Sequence, residues 1–373
     1  MKITVKGSEL ARAVSKVQSV TGKKSTHQAV ACVRLDALTN KDLLTISGTD
    51  LSQSLSIKIP MVTTVPSRGV MVSAEKFAAL SKSLSGAEAV KIATNDAYLL
   101  AIGGGKGKFT LSGLNPDEWP GIIAGKSAEP FGVNGGMLAE ALRGVCYAAD
   151  KSDARGLSAV CLQIGADSKI TMAASDGARM AFLSMPTESA PTADQRLILS
   201  LNSARTIINL FEGSGSVMME SDGSILTLSN ETVQYSTLLL ATVFPKWEGF
   251  IPNGYDHGVE ISREVMTNAL RGVLLIQDDS PYSVTMTFTT NNVSVKAVSE
   301  VGSHEESIEA ITERGGITKR RFNAKLVLDW LEQVPTETFK IEMPEVQVGV
   351  VRFRAEGAPG YVCIPLAPEG DNT

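Results

Sequence analysis

In the segment ELARAVSKV the apolar residues Leu10, Ala13, Val14 and Val17 fall at i, i+3, i+4 and i+7, which predicts an amphipathic helix. The same helix recurs. Ala-Leu-Arg-Gly-Val stands at 141–145 and again at 269–273, an offset of 128, and stepping back 128 from Leu138 lands on Leu10. Each copy follows a short alternating strand, at 3–5, 131–133 and 259–261, and Asn134 and Ser262 stand where an N-cap is wanted. A second helix repeats in the segments 70–84, 197–211 and 320–334, each opened by a capping residue, Ser73, Ser200 or Asn323. Between the two helices, ISGTDLSQSLSIKIP (46–60) and MAASDGARMAFLSMP (172–186) alternate with period two around a Thr/Ser-Asp turn, with a weaker echo at 297–309. After the second helix come further strands, among them 218–229, whose Asp222-Gly223 is a hairpin signal.

The pattern predicts an α+β chain of three tandem units, each with two helices on one face of antiparallel sheets. Pro- and Gly-rich stretches at 115–130 and 244–257 mark the borders, giving domains 1–126, 127–253 and 254–373. A unit this long is no solenoid repeat, so the chain reads as a triplicated domain.

Composition narrows the chemistry. The chain has 373 residues, of which 43% are hydrophobic and 20% charged, with 35 Lys+Arg against 40 Asp+Glu and a formal net charge of −5. Taken whole it repels polyanions, so contact with DNA requires locally basic surface. Cys32, Cys146, Cys161 and Cys363 form no C-x-x-C and read as small buried hydrophobes. No window is long and apolar enough for a membrane span, and with no secretory segment the reading is cytoplasmic.

Enzymatic motifs are missing. His27, His257 and His304 stand singly, with no H-E-x-x-H and no G-x-S-x-G, so no catalytic residue, no metal site and no cofactor is assigned. The run Gly103-Gly104-Gly105-Lys106-Gly107-Lys108 is followed by the strand-like Phe109-Thr110-Leu111 rather than by a helix, and reads as a glycine hairpin, not a phosphate cradle. Asp50 and Asp176 occupy corresponding places and read as turn caps rather than paired catalytic carboxylates.

The threefold repeat, the SDGARMAFLSMP and FPKWEGFIP segments, the Phe-Asn before the last helix and the C-terminal GYVCIPLAP occur in an order and spacing that resemble the bacterial sliding clamp family, the beta subunit of DNA polymerase III. The resemblance covers essentially the whole chain. It implies a head-to-tail homodimer of six domains, a closed ring lined by twelve helices that encircles double-stranded DNA and tethers the replicative DNA polymerase subunit. Twelve helices side by side at roughly 9–10 Å make a circle about 36 Å across, which leaves a hole of roughly 25 Å after a helix diameter is subtracted. A duplex passes through such a hole without sequence-specific contacts.

The resemblance also assigns surfaces. DNA-facing candidates on the helices and their neighbouring loops are Lys24, Lys76, Lys82, Arg143, Arg205 and Lys325, of which Lys24, Lys76 and Lys82 match basic positions of the family, while Leu201 and Asn202 replace a basic pair that many clamps carry. A peptide-binding cleft between the second and third domains, which takes apolar linear motifs ending in Leu-Phe from polymerases, the clamp loader and other proteins, maps onto Leu157 or Ser158, Ser175, Gly177, Arg179, Met180, Pro245, Phe250, Asn323, Leu326, Val348, Val362, Cys363, Ile364, Pro365 and Leu366. Ala178 stands where many members have His, Gly249 where many have Arg, and residues 367–373 extend past the usual end. Dimer contacts map onto Phe109 and Leu111 of one edge strand and onto Leu275 and Ile276 at a helix end. The expected function is a non-enzymatic processivity factor. The alternative is a clamp-fold adaptor that binds proteins only, suggested by the thinned basic residues.

Overall fold

The computed structural model describes the chain except for residues 23–26, 38–41, 66, 105–106, 124, 126–128, 151, 153–156, 252–253, 347–348 and 368–373. Lys24, Val348 and the last six residues of the C-terminal extension therefore lie outside the described residues. Three helices start 128 residues apart: α1 (Gly7–Gln18), and its counterparts Gly135–Cys146 and Arg263–Leu274. Between and after them lie Ala74–Ser83, Leu201–Phe211 and Ala324–Leu331. In chain order these six helices are α1 to α6, and they pair within each unit as α1 with α2, α3 with α4 and α5 with α6. Among the described residues no helix is long and apolar enough to cross a membrane.

Helix starts follow the capping chemistry closely. Asn134 accepts from Met137 N, Ser73 from Lys76 N, Ser200 from Ser203 N, and Asn323 from both Lys325 N and Leu326 N. Ser262 departs from expectation. It occupies the N-cap of α5 with extended backbone, but its side chain makes no capping bond. The backbone N–H of Arg263 instead donates to Glu337 O at 2.8 Å, so this helix start is held by the neighbouring chain segment.

The sheets are antiparallel and cross the unit borders. In one eight-stranded sheet, Val233–Leu238 of the second unit pairs with Gln53–Pro60 of the first, with Tyr235 opposite Leu55. In a twelve-stranded sheet, Gly360–Cys363 of the third unit pairs with Arg179–Pro186 of the second, with Tyr361 opposite Ala181. The third sheet, of five strands, belongs to the first unit and ends at Gly107–Ser112. The expected glycine hairpin is there, with Leu99–Gly104 beside Gly107–Ser112 and Gly104 opposite Gly107.

Registers make the units superimposable residue by residue. Following the ladders outward from the first strand of each unit places Phe109, Tyr235 and Tyr361 in one structural position. Following the ladders from Ser73, Ser200 and Asn323 likewise equates Leu55, Ala181 and His304. Leu114, Leu240 and Leu366 are a further set, each N–H donating to the equivalent carbonyl of Met71, Ile198 or Arg321. Tyr235 and Tyr361 are fully buried at the two junctions, whereas Phe109, on the edge strand, is 38% exposed.

One apolar core runs through all three units. In the third unit it is built around Trp330, which meets Phe339, Phe353 and Tyr361 at centroid distances of 5.5 to 5.8 Å and donates its indole N–H to Pro359 O at 3.0 Å. All four cysteines are free and buried, and Asp50 and Asp176 both cap hairpin turns, accepting from Gln53 N and Arg179 N respectively.

The capping difference is testable. Asn134→Ala should destabilise the protein by about 1 kcal/mol, whereas Ser262→Ala should leave the thermal midpoint nearly unchanged. Equal losses in the two variants, measured by thermal unfolding, would show that Ser262 caps α5 after all.

Candidate functional site

At the second junction a tight turn, a strand end and a linker meet around an apolar cavity. The turn is Ser175 to Arg179. Asp176 Oδ1 accepts from Ala178 N and Arg179 N, both at 3.0 Å, and Ser175 Oγ donates to Arg179 O at 2.7 Å. Gly177 has φ of +87°, a conformation that disfavours any side chain. The turn is laced to the third unit by the pairing of Arg179 with Cys363 and of Met180 with Val362, and by Ile364 N donating to Ala178 O at 2.9 Å.

The opposite wall is the linker. Phe244, Pro245 and the short turn Trp247–Phe250 close the cavity, with the Trp247 ring stacked on Phe182 at 5.4 Å. Arg196 Nη2 anchors this wall by donating to Pro245 O at 2.7 Å. Leu157, Val350, Val362, Cys363 and Ile364 complete it. The space measures about 160 Å³, comparable with the apolar cavity of about 150 Å³ that takes up benzene in an engineered protein. One aromatic or branched side chain fits. Phe250 and Ile364, 56% and 49% exposed, flank the entrance as an apolar rim.

Of the residues expected in this wall, Leu157, Ser175, Gly177, Arg179, Met180, Pro245, Phe250, Val362, Cys363 and Ile364 line the cavity. Ser158, Asn323, Leu326, Pro365 and Leu366 do not. Ser158 O accepts from Leu201 N, Asn323 caps α6, Leu326 O accepts from Tyr361 Oη at 2.8 Å, Pro365 is buried, and Leu366 N donates to Arg321 O. Phe244, Trp247 and Val350 are wall residues that the sequence comparison missed, and Ala178 enters as a wall residue itself. The aromatic pair Phe244 and Trp247 stood in the 244–257 segment, which its Pro and Gly content marks as a border.

Arg179 is not an open cation. Its side chain is 4% exposed, and its guanidinium donates to Asp176 Oδ2 (3.0 Å), Asp329 Oδ2 (2.8 Å), Leu326 O (3.4 Å) and Tyr147 O (2.8 Å). It also lies over the Tyr147 ring at 5.3 Å. Desolvation opposes its charge, but Tyr361, Asp329 and Asp176 outweigh that and raise its pKa above the usual arginine value.

A second surface is carried by the helices. Lys76 and Lys82 are exposed on α2, Arg143 on α3, Arg205 on α4 and Lys325 on α6. Arg143 is paired with Glu212 at 2.8 Å, and Lys325 Nζ sits 5.5 Å from the Tyr282 ring centre. Arg12 and Lys16 on α1, and Arg263 and Arg271 on α5, are further helix-borne cations that the sequence reading did not single out. Together the six helices carry nine basic and five acidic residues, within a chain of net charge −5. Positive charge is thus concentrated on the helical face.

The third surface is split between the chain's two ends. Phe109 and half-buried Leu111 lie on the outer strand of the five-stranded sheet, while Leu275, 85% exposed, and half-buried Ile276 follow the end of α5. Tyr147, the structural counterpart of Leu275 on α3, stacks on Tyr361 at 6.3 Å.

Residues 1–123 match the family described as DNA polymerase III beta subunit, N-terminal domain. The beta sliding clamp of Synechocystis sp. is 23% identical over 92% of this chain and 93% of its own length. Two solved structures share the fold from end to end. The Pseudomonas aeruginosa DNA polymerase III beta subunit bound to griselimycin has a TM-score of 0.92 at 20% identity, and the Helicobacter pylori beta clamp bound to a DNA ligase peptide has 0.88 at 19%. Each comparison covers 99% of this chain and 100% of the other.

Burial silences the thiols. It pushes Cys363, in the cavity wall, from the ordinary 9.0 up to about 12, and Cys146 likewise to about 12. A raised thiol pKa means that the neutral form is the one the folded state favours. Stability from this source is complete below the unfolded value and declines as pH rises from 9.0 toward about 12. Iodoacetamide at pH 8 should leave the native protein unmodified and label all four cysteines in denaturant, as counted by intact mass. Rapid native labelling of Cys363 would show that the wall is open to solvent.

Proposed function

We infer that this chain, which belongs to the DNA polymerase III beta-subunit family of sliding clamps, is a processivity factor that closes head to tail with a second copy into a ring around duplex DNA. The observation that carries this reading is the matched pair of strand edges. At the first junction Val233–Leu238 pairs with Gln53–Pro60, and at the second Gly360–Cys363 pairs with Arg179–Pro186. The equivalent strands left over are Gly107–Ser112 in the first unit and the outer edge of Gly302–Arg314, in its 302–309 half, in the third. They complement one another only between copies. Repeating the junction register sets Phe109 opposite His304 and Lys108 opposite Glu305 of the second copy, an aromatic contact beside an attractive charge pair. Leu275 then meets Phe109 as Tyr147 meets Tyr361.

Three domains per chain, 1–126, 127–253 and 254–373, supply six to the ring. The helices line the hole, and Lys76, Lys82, Arg143, Arg205 and Lys325 face the phosphates. Weak, sequence-neutral attraction suffices because closure retains the DNA. The cavity at the second junction receives an apolar motif ending in Leu-Phe from the replicative polymerase subunit, the clamp loader and other partners. The Helicobacter pylori clamp bound to a DNA ligase peptide supports a peptide-binding role. The chain acts by enclosure and tethering in the cytoplasm, with no catalytic step, metal or cofactor assigned to it.

Retention on DNA tests the ring. Loaded onto nicked circular DNA, the protein should remain after a salt wash and run off when the circle is linearised. Equal retention on both substrates would mean that it does not encircle DNA. For the cavity, Met180→Glu should abolish capture of a Leu-Phe peptide while the ring persists in sedimentation, and undiminished capture would place the peptide elsewhere.

A further inference from the structure

The walls of the cavity belong to different units, Ser175 to Met180 and Trp247–Phe250 to the second, Val362 to Ile364 to the third. Its width is therefore set by whatever fixes those units to one another. Backbone pairing supplies part of this. Among side chains the strongest link is Arg179, held to its own unit by Asp176 and Tyr147 O and to α6 of the third unit by Asp329 at 2.8 Å and Leu326 O.

The equivalent position at the other junctions shows what this adds. Superposed through the ladders, Arg179 corresponds to Gln53 at the first junction and to Gly302 at the free edge. Gln53 crosses its junction through one neutral contact, accepting from Tyr235 Oη at 2.5 Å. Gly302 has no side chain to cross with. Among the described residues, an ion pair joins two units, as a strut between them, only at the junction that carries the cavity; at the first junction Lys16 Nζ donates to a backbone carbonyl, Leu210 O, at 3.4 Å. The charge-assisted hydrogen bonds of a guanidinium fix geometry as well as adding energy, whereas the net stability that such a pair contributes is small.

We propose that Asp329 is a positioning residue for the peptide cleft: through Arg179 it holds the wall from the second unit in register with the wall from the third, without touching the peptide. Asp329 does not line the cavity, and its side chain is 30% exposed on α6. Removing its carboxylate takes away the ion pair between units and leaves Arg179 bound to Asp176, to Tyr147 O and, across the junction, only to Leu326 O at 3.4 Å beside the backbone pairing. The turn keeps its own shape, but the two walls lose the charged anchor they share. This inference rests on the cleft being the peptide site.

The test measures binding of a fluorescent peptide ending in Leu-Phe to the intact ring, together with backbone hydrogen exchange of residues 360–364. Asp329→Ala should weaken binding roughly tenfold and speed exchange in that strand, where Ile364 N bridges to Ala178 O. The thermal midpoint should change little. Asp329→Asn, which keeps an acceptor but no charge, should fall between, and it carries the test if the alanine variant does not fold. Wild-type affinity and unaltered exchange in a folded Asp329 variant would overturn the proposal. Ile364→Glu, at the cavity entrance, separates the two claims. If it abolishes binding while the Asp329 variants bind normally, the cleft stands and the strut falls. If it leaves binding intact, the cleft assignment itself is wrong, and the strut with it.

Discussion

A β-sheet ends in a strand whose outer N–H and C=O groups have no partner, and that requirement organises the whole molecule. Each unit has a strand of this kind at either side. Inside the chain the second unit completes the first and the third completes the second, with the aromatic residues Tyr235 and Tyr361 buried where they join. Of the edges equivalent to those two junctions, one of each kind is left among the described residues, Gly107–Ser112 in the first unit and the 302–309 half of Gly302–Arg314 in the third, while other strands end the sheets elsewhere. Head-to-tail closure satisfies both, and a second copy does so with two seams, the smallest closed arrangement of heterologous interfaces.

The same repetition explains where the cavity forms. At the first junction the positions equivalent to Met180 and Gly177 are Ser54 and Leu51, and the N–H of Ile123 in the following linker donates to Ser54 Oγ at 3.1 Å. The linker thus lies on a polar group there. At the second junction Met180 presents no hydrogen-bonding group, and the linker stands off on its own aromatic residues, Trp247 stacked on Phe182. An apolar space remains between them. Three copies of one design thus differ as a sealed joint, a joint that encloses an apolar cavity, and a pair of free edges.

Much of this was legible in the sequence because it is local. Helix periods, the caps at Asn134 and Asn323, the turn-capping Asp50 and Asp176, and the glycine hairpin all depend on residues a few positions apart. The repeat itself was visible because Ala-Leu-Arg-Gly-Val survives in two copies. What the sequence hid depends on partners far along the chain. Ser262 looks like its equivalents, but the bond that holds its helix start comes from Glu337. Arg179 reads as a cleft-wall residue, and its bond to Asp329, 150 positions away, has no local signal in the sequence. The continuity of sheets across unit borders is of the same kind, since each border strand looks like any other until its neighbour is known.

Closure of the free edges is tested most directly by covalent trapping in the predicted register. Directly opposed residues of antiparallel strands lie about 4.5–5.5 Å apart at Cα, within the range that a disulfide spans. The double variant Phe109→Cys, His304→Cys should therefore form, on oxidation, a species of two chains linked at both seams, since the native cysteines are buried. Moving the second cysteine one residue, to Glu305→Cys, turns it to the other face of the strand and should suppress the link. Cross-linking that is absent, or equal in the two registers, would contradict head-to-tail closure through these edges.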